Sequence, residues 1–93
     1  MNEKDSPRSH EKVIREILRY CSKHPDAKDT IDGILKWWLP GGNAEWGKEE
    51  VQHALDFLTA KGWLTKRETT PAKDLYGINR DQLDEIKIFL SQV

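Results

Sequence analysis

A lone cysteine, Cys21, is the whole thiol content of the sequence, so no internal disulfide can staple the fold. A reducing compartment is the natural setting for such a chain. No apolar run comes near the roughly 18 residues of a membrane span, and the opening Met-Asn-Glu-Lys-Asp-Ser-Pro lacks the apolar stretch of a secretory signal. A soluble, cytoplasmic protein without a membrane partner is therefore expected. An excess of charge is missing too: 15 basic residues meet 16 acidic ones, for a formal net charge of -1. No global field draws the chain to nucleic acid, and an electrostatic partner must be met by a local cluster. With 93 residues, 37% of them hydrophobic, the chain can build one core but not two.

The residues that catalysis needs are also scarce. Gly41 and Gly42 form a turn without the downstream Lys-Ser or Lys-Thr of a phosphate-cradling loop. Cys21 and His24 stand one helical turn apart, but His10 and His53 are distant in sequence and no third metal ligand presents itself. Cys21 falls on an apolar face, as a small core residue would. No enzyme activity, cofactor or metal is expected.

What the sequence does have is periodicity. Over residues 47–62, Val51, Ala54, Leu55 and Leu58 recur at the spacing of one helical face, with Glu49, Gln52, His53 and Asp56 pointing away. Gly47 suits the N-cap, Glu49 and Glu50 sit where the helix dipole favours anions, and Lys61 and Gly62 supply the C-terminal signals. Ahead of this helix, residues 1–7 read as a flexible tail and residues 8–93 as a single domain. A first helix is expected over residues 9–24, with Ile14, Ile17, Leu18 and Cys21 inward, Val13 and Tyr20 on the flanks, and Pro25 just beyond its end. At about 100 degrees per residue, Arg8, Lys12, Arg15, Arg19 and Lys23 share one quadrant opposite the apolar face. Five basic residues against two acidic ones make residues 8–24 the one concentrated charge in the chain.

Asp29 or Thr30 can cap a short second helix that turns Ile31, Ile34, Leu35 and Trp38 inward and leaves Trp37 to the side, until Pro40 and the two glycines stop it. Trp46, just ahead of the Gly47 cap, is placed to fold back as a hydrophobic staple. Past Gly62, residues 63–68 and 75–79 read as strands joined by a turn over residues 69–74. Tyr76 and Ile78 share a face of this hairpin, and Lys66, Arg67 and Lys73 gather near its tip. A last helix starts at Asn79 with Gln82 as its capping-box partner, burying Leu83, Ile86, Phe89 and Leu90 and turning Ile88 outward.

The run Val51-x-x-Ala-Leu55-x-x-Leu58-x-x-x-Gly62, followed by Trp63-Leu-x-x-Arg67 and Tyr76-x-Ile78 and preceded by two helices, resembles a winged-helix domain over about two thirds of the chain. The resemblance implies an α+β, mainly α fold: a three-helix core, a C-terminal β-hairpin wing and a fourth helix behind it. It also implies a recognition helix at residues 48–61 and a wing at residues 66–74. Since winged-helix domains are most often DNA-binding, it suggests double-stranded DNA as partner and transcription regulation as role. Candidate nucleic-acid contacts are then Lys48, Gln52 and His53 on the helix and Lys66, Arg67 and Lys73 on the wing. Residues 48–61 nevertheless carry two basic side chains against three acidic ones, and carboxylates repel phosphate. The alternative is a protein-interaction or homodimerisation module using Trp37, Ile88 and the acidic face of the central helix, because both apolar side chains lie off their helices' buried faces.

Overall fold

The computed structural model describes residues 7–41, 46–70 and 73–92, apart from the side chains of residues 7–10, 69, 70 and 73. Residues 1–6 of the expected tail lie outside that description. Pro7 does not belong to a tail: it opens helix α1 (Pro7–Lys23), where its fixed φ and missing N–H suit a first turn. Val13, Ile17, Leu18 and Cys21 are fully buried, and Ile14 only partly so. Val13 therefore takes the central place that the sequence assigned to Ile14. The row 13, 17, 21 runs down the helix at i, i+4, i+8 and faces the core.

The chain then forms a two-residue strand, β1 (Lys28–Asp29), so Asp29, one of the two candidate caps of the second helix, lies in a strand. Thr30 caps α2 (Ile31–Gly33), its Oγ1 accepting from the Gly33 N–H at 3.4 Å. The helix widens at once into a π-helical turn, Ile34–Trp38, closed by the Leu39 N–H donating to the Ile34 carbonyl at 3.2 Å. The wider turn brings Leu39 into the core beside Ile34, Leu35 and Trp38, and leaves Trp37 65% exposed. Trp38 stacks on Tyr20 of α1, with ring centroids 5.1 Å apart. Trp46 is buried in the same cluster as Val51, as a staple requires, and its Nε1 donates to the Pro40 carbonyl at 2.7 Å.

Helix α3 (Lys48–Lys61) runs between the two expected glycines and buries Val51, Ala54, Leu55 and Leu58. At its end the Trp63 N–H donates to the Leu58 carbonyl at 3.0 Å and the Gly62 N–H to Thr59 at 3.1 Å, while Gly62 adopts φ of 89°. This paired closure requires a left-handed residue. Gly62→Ala is expected to cost about 1–2 kcal/mol from backbone conformation, since nothing lies within 4 Å of an added Cβ. Gly62→Asn should cost less, as asparagine tolerates that region. Urea midpoints of the three proteins check the ranking.

Strands β2 (Leu64–Thr70) and β3 (Lys73–Ile78) pair antiparallel, and β1 adds to the other edge of β3, giving the order β1–β3–β2. Trp63 stands before the ladder, with the Asn79 N–H donating to its carbonyl at 2.9 Å. Gly77 faces Lys28 across the β1–β3 ladder, and a Cβ there would meet Lys28 Cγ at 3.0 Å and the Ala27 carbonyl at 3.4 Å. Glycine is what lets β1 come so close.

The last helix begins as a single 3-10 turn, Arg80–Gln82, and continues as α4 (Leu83–Ser91). Asn79 is the cap, but its partner is the Asp81 N–H, at 3.1 Å. Its Nδ2 donates to the Gly62 carbonyl at 2.7 Å, tying the entry to α4 to the exit from α3. Asn79→Ala removes both bonds and should cost about 1–2 kcal/mol; Asn79→Asp, which keeps the acceptor and loses the donor, should recover part of that in the same denaturation assay. Helix α4 buries Ile86 and lies along α1, with Phe89 edge-on to Trp63 at 5.4 Å and the Arg15 guanidinium 4.6 Å over its ring. The architecture is thus α+β: helices and a small three-stranded antiparallel sheet around one core. Among the described residues, no helix is long and apolar enough to cross a membrane.

Candidate interaction surface

With its apolar stripe docked inward, α3 presents Glu49, His53, Asp56 and Ala60 to solvent. Gln52, at the edge of that face, is turned toward the sheet: its Nε2 donates to the Tyr76 hydroxyl at 3.1 Å and to Asp56 Oδ1 at 3.0 Å. The donor that was a candidate for base contact therefore holds α3 to β3. Lys48, at the start of the helix, pairs with Asp32 of α2 at 3.2 Å. A surface cleft of about 190 Å³ opens between these elements, lined by Asp32, Lys48, Gln52, Asp74 and Tyr76 among others. Its two carboxylates outnumber its one ammonium group.

The hairpin separates the cations expected to gather on it. Lys66 lies across from Tyr76 and Arg67 from Leu75, and neighbours along a strand point to opposite faces. Lys66 and Arg67 thus cannot form one basic patch. Lys66 shares its face with Asp74 and pairs with it at 3.7 Å, while Arg67 is exposed on the other face. Lys73 begins β3, with its side chain outside the described residues.

Trp37 and Ile88 are 65% and 60% exposed, as their positions off the buried stripes lead one to expect. Phe57, which is not among the expected interface residues, joins them at 52%. The same test finds it, since residue 57 lies outside the 51, 54, 55, 58 stripe and next to Asp56.

The basic face of α1 is built from cations with different neighbours. Lys12 lies 5.7 Å over the Trp46 ring, Arg15 covers Phe89, and Arg19 pairs with Glu16 one turn away. Lys12, Arg19 and Lys23 are exposed. These surface contacts are individually weak, at about 0–1 kcal/mol for an ion pair, and exchange readily for others.

Cys21 is fully buried, and burial pushes its thiol up from 9.0 to about 12, which leaves it protonated and unreactive at neutral pH. Among the described residues, no three His, Cys, Asp or Glu side chains come together as a metal site. Compared with models of known protein families, with curated proteins and with solved structures, the chain gives no match.

Proposed function

We propose that the chain is a winged-helix module whose outer α3 face recognises a basic segment of a partner polypeptide. The fold reading is supported by the order α1, β1, α2, α3, β2, β3 and by the two-stranded ribbon leaving α3 at Gly62. One observation carries the functional reading: the α3 surface offers carboxylates and a half-exposed phenyl ring, while Lys48 and Lys66 beside it are matched by Asp32 and Asp74 of the same chain. Glu49, Asp56 and Phe57 suit lysine and arginine side chains, which pair with carboxylates and lie over aromatic rings. They do not suit phosphate.

A fluorescein-labelled oligolysine peptide titrated with the full chain at low salt tests this. Saturable binding is expected, weakened about tenfold, near 1.4 kcal/mol, by Glu49→Lys with Asp56→Lys, and unchanged by Asp84→Lys with Glu85→Lys on exposed positions of α4. Equal loss from both pairs would mean that net charge alone is being sensed, and absence of binding would remove the proposal.

Double-stranded DNA is the second reading, favoured by the exposure of Lys66 and Arg67 on β2, where a wing meets the backbone. It requires salt-dependent binding of a labelled duplex that is reduced by Lys66→Ala or Arg67→Ala. The opposed directions of these side chains make one of the two substitutions dominant.

A further inference from the structure

The charges of this chain are segregated. Residues 8–24 hold five basic side chains against two acidic ones, and the remainder holds ten against fourteen, so a net charge of -1 hides a positive helix on a negative body. Helices α1 and α3 bury their apolar rows in one shared core, so both turn their outer faces to solvent. Neither face can neutralise the other within one copy.

We infer that the outer face of α3 in one copy docks on the basic face of α1 in a second copy, a step that rests on the functional reading above and names the partner. The spacings match. Glu49 and Asp56 are seven residues apart, as are Lys12 and Arg19, which is two helical turns and about 10.5 Å on each helix. Phe57, exposed beside Asp56, gains a cation over its ring, an arrangement the chain already uses where Arg15 lies over Phe89 and Lys12 over Trp46. The contact is head to tail, because the two faces differ. It therefore builds a ring or an open chain of copies rather than an isologous dimer.

Sedimentation of the full chain from micromolar to millimolar concentration is the test. At an ionic strength of about 0.01 M, where the screening length is about 30 Å, the average mass should rise with concentration; at about 1 M, where it is about 3 Å, the chain should be monomeric. The variant K12E/R19E/K23E and the variant E49K/D56K should each be monomeric alone, since the α1 and α3 faces of each then carry the same net sign. Mixed in equal amounts they should associate again, because both pairings become attractive. F57A should shift the wild-type association to higher concentration.

A wild-type chain that stays monomeric at low salt overturns the inference, and so does a mixture of the two variants that fails to associate. If the monomeric chain still binds oligolysine in a manner sensitive to E49K/D56K, the protein-binding role stands and only the identity of the partner falls. If duplex DNA binds and K12E/R19E/K23E abolishes that binding without any self-association, the α1 face serves nucleic acid and the inference is overturned. Because the salt response is read on the unmodified protein, misfolding of a variant leaves the first test intact.

Discussion

Leu55→Ala is expected to cost about 2–5 kcal/mol, the range for truncating a buried leucine where the surroundings relax incompletely. Leu55 is fully buried on α3 within the single core cluster. Its neighbours on that face, Val51, Ala54 and Leu58, are set by the same helix, so none can move into the cavity without shifting the whole element. A domain of this size has only about 5–15 kcal/mol in total, so the substitution should remove a large share of it and lower the urea midpoint markedly. Leu55→Met, which conserves volume, should cost less than about 1.5 kcal/mol. A variant Leu55→Ala as stable as the parent would contradict the packing of α3 against α1.

The second large effect is alkaline. Cys21 is held protonated in the folded chain to about pH 12, whereas exposed on unfolding it ionises near 9.0. Between these values the unfolded state binds fewer protons than the folded one, so stability falls as pH rises. It is whole below about pH 9, and the loss is complete near pH 12. A difference of that size corresponds to an order of 4 kcal/mol. Lysines and tyrosines titrate over the same range, so the measurement is the difference between the parent and Cys21→Ala. The substitution leaves a small cavity at neutral pH, and the gap between the two proteins should narrow, then reverse, as pH climbs from 8 toward 12. A gap independent of pH would place the thiol in water.

Helix α3 was legible because three independent signals agreed on it: the spacing of Val51, Ala54, Leu55 and Leu58, the acidic first turn, and Gly62 at the end. The ribbon followed from alternation and turn residues. Strand β1 was not legible, since two charged or polar residues carry no period and are strands only because β3 lies beside them. Its trace in the sequence was Gly77, a glycine inside an otherwise regular strand. The candidate site was less legible than the fold. Lys48, Gln52 and Lys66 could be assigned to exposed faces, but their partners Asp32, Tyr76 and Asp74 come from other elements whose approach no local pattern encodes. The opposed directions of Lys66 and Arg67, by contrast, were available from strand geometry alone.

Arg15 covers Phe89, although 74 positions separate the two in the sequence. On a ribosome, helix α1 emerges before α4, and its flank has nothing to rest on until the final turns of α4 have been made. Closing so long a loop comes before the reward of the contact, so the nascent chain must carry this flank of α1 uncovered for as long as the intervening residues are being made. Chains cut short before Phe89 would keep it uncovered permanently and become material for proteolysis or aggregation.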